Sequence, residues 1–492
     1  MKNTFYQSHR EWEFFENIEI TNISFENGHY NLPSECVIKI VRDSHFKLKA
    51  KISGLIENDK QLEPIKIGTP GTVVEHENIY GYSLEGIFKY KIHGILIGNY
   101  TCSVISLEPQ QIRFEADLLL DSVEKFYYEP DKGYESIQDW FLSGKSEVFF
   151  SRATKRSVDR KYIKARMEVD PEEISGVTKA SGSARDFLII ATDDFDVIVA
   201  KVPEDFGPSW SFNLCIEYRK TFKRLPVLEE RTAIKELVSF VFGTQLLHIG
   251  STYYGASSEV ISLDFKNPWG DNVVSKCNQG SLPPSVISGH FKNQAENILN
   301  ALLPEYLKLH EKLRLGGAIW KYWIARYSSV GTNLPILSSA IETLAEFILK
   351  EHKEVKHYYV EHKEFQTLIE PGLNLIIEAL GTHPSKEKIA NKIRSAAQRG
   401  SNEKVEMMLE IIGLKVGNVE KEAMKARNKM AHSSFGKIDR DEMVELIRLT
   451  RAYETLFHRV FFKILGYKGE YIDYYSLSHP SRNIDEFIPT AK

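Results

Sequence analysis

The stretch Gly280-Ser-Leu-Pro-Pro-Ser-Val-Ile-Ser-Gly289 divides the chain. Its two prolines carry no backbone donor, glycine and serine flank them, and the hydrophobic pattern changes period across it. Working back towards the N-terminus, short apolar runs alternate with polar residues at period two, as half-buried antiparallel strands do. Examples are Cys36-Val-Ile-Lys-Ile-Val, Phe46-Lys-Leu-Lys-Ala-Lys-Ile, the run from Gly86 to Ile97, and Ile112-Arg-Phe-Glu-Ala-Asp-Leu. Further strand-like runs start at Glu147, Phe187, Asp196 and Phe212, and one helix is expected near Glu229 to Phe242. Working forward, the period becomes helical. Candidate helices are Phe291 to Leu313, Leu334 to Tyr359, Phe365 to Leu380, Ser385 to Ile412, Val419 to His432 and Asp439 to Leu465. The last opens on Asp439-Arg-Asp-Glu442, the spacing of a capping box. The expected fold class is α+β multidomain, with a β-rich region over residues 1–280, a bundle of about five or six helices over 285–470 and a C-terminal tail over 471–492.

Length and composition agree with that division. At 492 residues the chain exceeds one ordinary core, and 42% hydrophobic with 26% charged residues is a soluble, globular balance. A net charge of -4 is spread along the chain, so any nucleic-acid site must be local. The four cysteines form no Cys-x-x-Cys pair, which disfavours a zinc knuckle or a disulfide scaffold and fits a reducing, cytoplasmic setting. Charges near the N-terminus interrupt what a signal peptide would need, and no run approaches the roughly 18 apolar residues of a membrane helix, so no membrane partner is expected.

The segment Ala426-Arg-Asn-Lys-Met-Ala-His-Ser433 carries the candidate chemistry. On a helix turning about 100° per residue, Val419, Ala423, Ala426 and Met430 form an apolar stripe. Asn428 and His432 then fall opposite it beside Lys421 and Lys425, with Arg427 on the flank, so the polar trio is expected to point away from the core. A guanidinium grips phosphate bidentately and an imidazole moves protons near neutral pH, which suits cleavage of an RNA phosphodiester through its 2'-hydroxyl. One histidine is one acid or base at a time, so two copies across a two-fold axis would complete the pair. The alternative is a solvated helix end. A similar spacing recurs at Arg451 and His458, within a densely apolar helix, and is read there as packing.

Arg427-Asn-Lys-Met-Ala-His432 resembles the motif of the HEPN superfamily: arginine, a polar residue, three more residues, histidine. Many HEPN members are metal-independent ribonucleases. The helix from Leu334 to Glu346 resembles the earlier HEPN helix that brings an acidic residue to the motif, which nominates Glu342 beside Arg427, Asn428 and His432. A long β-rich region before such a bundle is also similar to the layout of bacterial abortive-infection ribonucleases. The resemblance covers about residues 320 to 465. It implies a homodimer or higher homo-oligomer, a phage-derived trigger, and host RNA, transfer RNA first, as substrate.

Seven basic residues between Arg152 and Arg166 meet one acid, Asp159, and form the strongest local candidate for phosphate contact. Arg152, Arg156, Arg160 and Lys161 are its proposed RNA contacts, with Lys421 and Lys425 on the motif helix; the other reading is a solvated face. His352, His357 and His362 are spaced by five and scatter around a helix, so no metal is predicted. Gly250-Ser-Thr-Tyr-Tyr-Gly255 lacks the P-loop lysine. No cofactor is expected. Two rivals remain: a non-catalytic HEPN module binding RNA or protein, and a β-domain that binds a ligand while the helices only oligomerise.

Overall fold

A computed structural model describes residues 4–6, 17–26, 28, 30–43, 46–63, 77–107, 110–127, 133–144, 155–158, 163–167, 187–201, 212–220, 223–256, 259–268, 282–285, 294–352, 359–360, 362–395, 399–432 and 439–490. The fold is α+β, strand-rich before the Pro283-Pro284 pair and helical after it. The chain divides into two units. The first comprises Met1–Lys235, Thr244–Gly280 and Ile287–Asn300, and the second Glu236–Gly243, Ser281–Val286 and Ala301–Lys492. The division therefore does not fall at a single point near residue 280, as the change of period suggested.

In the first unit, alternating apolar residues build strands that pair in antiparallel fashion. Strands β2 (Ile18–Phe25), β3 (Val37–Arg42), β4 (Leu48–Ile56), β5 (Glu77–Ser83), β6 (Lys89–Leu107) and β7 (Gln110–Leu119) join in the order β6-β5-β2-β3-β4-β7. A further pairing of β7 with β6 closes the ring. Period two turns Ile20, Ile38, Ile52, Ile92 and Phe114 into one apolar cluster, each no more than 1% exposed. At Lys89–His93, β6 also pairs with β8 (Ser122–Phe126). The sheet continues from there through β16 (Val260–Lys266), β15 (Leu247–Tyr254), β9 (Ser136–Gly144), β14 (Phe212–Arg219), β13 (Asp196–Lys201) and β12 (Phe187–Ala191). Gly250 to Tyr254 is thus strand, and Glu147 to Phe150 lies outside the described residues. A polar cluster is buried in this sheet. Arg231, at the start of helix α1 (Leu228–Phe242), grips Asp139 through Nε at 3.0 Å and through Nη2. Burial alone would raise the Asp139 carboxyl, but Arg231 beside it holds it well below the usual range.

The helical unit is organised around one element. Helix α2 spans Gln294–Leu309, α3 Leu315–Tyr327, α4 Asn333–Glu351, α5 Glu370–Ala379, α6 Lys386–Ser395, α7 Ser401–Ile411, α8 Asn418–His432 and α9 Arg440–Ile464. Helix α4 packs against α3, α7, α8 and α9. It is apolar on most of its circumference, with Leu334, Leu337, Ile341, Leu344, Ile348 and Leu349 buried. Phe240, Tyr306, Tyr322, Phe457 and Phe461 form an aromatic core beside it, Tyr322 and Phe457 stacked at 5.0 Å.

Three elements differ from the sequence expectation. Helix α3 was not anticipated, because Gly316-Gly317 in its first turn reads as a breaker. Gly316 is there for space: a Cβ on it would approach Glu236 and His310 to 3.0 and 3.1 Å. The single helix expected over Ser385 to Ile412 is two, α6 and α7, the second entered from an extended Gly400. The residues assigned to a tail, 471–492, are packed as far as Ile488. Strands β17 (Glu470–Ile472) and β18 (Ser481–Asn483) pair, and Tyr471, Ile484 and Ile488 are fully buried. Their apolar residues are too few and too scattered to show a period.

Candidate functional site

Helix α8 turns Val419, Glu420, Ala423 and Met424 inward. The centre of that face lies roughly 60° from the stripe read from sequence, because Glu420, a charged residue, is buried on it. Arg459 of α9 draws Glu420 in: the two side chains are both 0% exposed and form an ion pair. This rotation moves Arg427. Instead of lying on the flank, it falls four residues after Ala423 and three after Met424, facing α4.

Arg427 forms an ion pair through Nη1 with Glu342, and the same Nη1 donates to Asn402 Oδ1 on α7 at 3.3 Å. Glu342 is held from behind. The Ser338 hydroxyl, one turn earlier on α4 and 1% exposed, donates to Glu342 Oε1 at 2.8 Å. Tyr453 on α9 is buried beside Ser338, and burial pushes its pKa up to about 12. A chain of polar groups, Ser338–Glu342–Arg427–Asn402, therefore runs across three helices. All described side-chain bonds of Arg427 use Nη1, which leaves its Nε and Nη2 edge for an anion among the described residues.

Helix α8 carries the backbone of Asn428 and His432 to its C-terminal turn; their side chains lie outside the described residues. Lys421 and Lys425 are exposed on the same helix. Of the basic cluster, Arg152, Arg160 and Lys161 lie outside the described residues. Arg156 is in β10 (Lys155–Val158), which pairs with β11 (Ile163–Met167) so that Lys155 stands opposite Arg166 and Ser157 opposite Lys164. The structure thus brings together two of the nominated residues, Arg427 and Glu342. It adds three that sequence reasoning passed over, Ser338, Asn402 and Tyr453. Ser338 had a signal in its four-residue spacing from Glu342; Asn402 and Tyr453 had none.

The other arginine–histidine pair differs. His458 is 0% exposed among Tyr322, Phe240 and Tyr474, and its Nε2 lies 3.0 Å from the Tyr322 hydroxyl. Burial, with Arg326 and Arg451 adding to it, pushes its pKa down to about 3. It is neutral near pH 7 and has no access to a substrate.

No family model, curated protein or solved structure matches this chain. Among the described residues no helix is long and apolar enough to cross a membrane.

Proposed function

We propose that this chain is a metal-independent endoribonuclease of HEPN type, acting in the cytoplasm in bacterial antiphage abortive infection and similar to ApeA. The observation that carries the reading is the ion pair of Arg427 with Glu342. The arginine of the motif and the acidic residue nominated for it come from helices that are far apart in sequence, and they meet at the base of the turn that ends in His432.

In this reading Arg427 keeps Nη1 on Glu342 and Asn402 and offers its other edge to a phosphate, two parallel bonds to two oxygens. Glu342 is a positioning residue, fixing the guanidinium so that it need not reorganise as charge develops on the phosphate. His432 of one copy takes the proton from the ribose 2'-hydroxyl, the O2'–P bond forms and the P–O5' bond breaks. His432 of a second copy donates a proton to the departing 5'-oxygen. The products are a 2',3'-cyclic phosphate and a 5'-hydroxyl end. Asn428 orients the phosphate between them, and Lys421, Lys425 and the 152–166 cluster contribute salt-sensitive backbone contacts. Host transfer RNA is the expected substrate, and a phage product the expected trigger.

The test is cleavage of total RNA and bulk transfer RNA in EDTA by wild type, Arg427→Ala and His432→Ala. Wild type alone should leave cyclic phosphate ends, and the variants should fall about 100-fold or more. Equal cleavage by all three would remove both residues from the chemistry. Binding without cleavage, with the infection trigger present, would favour a non-catalytic module.

A further inference from the structure

The cavity between α3, α4 and α9 is separate in composition from the Arg427 site and belongs wholly to the helical unit. It encloses about 210 Å³, roughly the share of seven water molecules in the liquid. Its floor is charged. Glu454 is 1% exposed and is bound by two arginines, Arg326 Nη1 at 2.8 Å from Oε1 and Arg451 Nη1 at 2.9 Å from Oε2. Two guanidiniums against one carboxylate leave a net positive charge in a recess, where the low local dielectric makes it count.

The charged and amide groups on the wall that are not already paired are donors, and the Ser328 and Thr450 hydroxyls donate to Ile324 O and Asn333 Oδ1. Arg451, 37% exposed, uses only Nη1 in its described side-chain bonds, so the rest of its fork is available. Asn333 Oδ1 already accepts from the Gly331 N–H at 3.2 Å and from the Thr450 hydroxyl at 3.5 Å, which leaves its amide N–H groups to donate. The Glu454 carboxylate has both oxygens taken. A ligand here must therefore bring acceptors and negative charge, while the half-exposed Val330 and Ile447 at the rim suit a compact apolar body.

We propose that this cavity is a binding site for a small oxyanion, a phosphate monoester or a carboxylate, held by Arg451 and Asn333 over the Arg326–Glu454 pair. It makes use of the second arginine of the arginine–histidine spacing, which the nuclease reading leaves without a role. The site stands whether or not the chain cleaves RNA.

The probe is inorganic phosphate, titrated calorimetrically into the full chain, with acetate and sulfate as parallel arms. Saturable uptake is expected in wild type and in Arg427→Ala, weakened about tenfold or more in Arg451→Ala, the loss of one charge-assisted contact. Asn333→Asp keeps the oxygen that Gly331 uses and suits the first turn of a helix, so it should fold as wild type yet abolish uptake. Acetate binding in place of phosphate would assign the carboxylate form. No saturable heat up to about 20 mM for any anion would overturn the proposal. So would uptake that survives both Arg451→Ala and Asn333→Asp, or that Arg427→Ala alone abolishes.

Discussion

In the proposed nuclease reading Arg427 divides its five donors between Glu342 and a phosphate, and the groups behind it set that division. Glu342 takes one edge, and Ser338 fixes Glu342 with a bond of 2.8 Å. Removing the Ser338 hydroxyl leaves a carboxylate free to swing. Ser338→Ala should therefore lower kcat for RNA cleavage about three- to tenfold with little change in KM, a fraction of what a bond to a charged group is worth. Unchanged kcat, measured where both proteins are fully folded, would make Ser338 structural only. Arg427→Lys gives a sharper contrast. An ammonium is a point charge that can stay on Glu342 or meet the phosphate, without the second edge that does both. Its activity should match Arg427→Ala to within about threefold, a difference well under 1 kcal/mol; restored cleavage by lysine would show that charge alone suffices. Sequence nominated both ends of this contact but put Arg427 on the flank of the apolar stripe, whereas the buried face of α8 is centred close to it. The error has one cause: a fully buried glutamate, Glu420, occupies the inner face, and pattern reading assigns glutamate to water.

At the scale of elements, that same Glu420 ties three segments together. Glu420 accepts from the Gly417 N–H at 2.6 Å and the Ile488 N–H at 3.3 Å, while Arg459 on α9 donates to Lys415 O and Ile484 O, both at 3.0 Å. The start of α8, the C-terminal part of α9 and the C-terminal segment meet at one ion pair, which sets the rotation of α8 and so the reach of Arg427. Breaking half of a fully buried pair strands a charge, and Arg459→Met should cost about 3–5 kcal/mol in urea unfolding. Glu420→Leu combined with Arg459→Met should recover most of that loss; a double variant no more stable than the single one would mean the backbone bonds, not the charges, carry the clamp. Elements with local signals were legible in sequence. Asp439 does accept from the Glu442 N–H, at 2.8 Å, and opens α9 as its spacing predicts. Helix α3 and the C-terminal pairing were not, since the first carries two glycines in its first turn, of which Gly316 is closely packed, and the second is held by partners more than a hundred residues away, as in the bond from the Ile472 N–H to Pro284 O.

For the whole molecule, the order of strands in the closed ring could not be read from runs of alternating residues. Period two fixes which face is buried, not which strand lies alongside, and the β4–β7 and β2–β5 pairings join distant segments. Burial of ionisable groups in the two units does lead to a separable expectation. In the helical unit His458 titrates near 3 when folded, against 6.5 for an ordinary histidine, chiefly because it is buried. A depressed folded value means that the unfolded chain binds the extra proton. The stability tied to His458 is complete above about pH 6.5 and declines by up to about 1.4 kcal/mol per pH unit as pH falls towards 3. In the strand-rich unit Asp139, held low by Arg231, begins to withdraw its contribution only below the ordinary carboxylate range. Glu420, raised by burial, acts in the opposite sense to both, so a loss of stability on acidification from about pH 6.5 to 5 runs against its direction and follows that of His458. Hydrogen exchange followed by peptide, corrected for intrinsic rates, should show α9 losing protection across this window while β9 keeps its own. His458→Gln, which retains a partner for Tyr322 without a titrating ring, should level the α9 response. Parallel loss in α9 and β9, or an unaltered slope in the variant, would place the acid sensitivity outside His458.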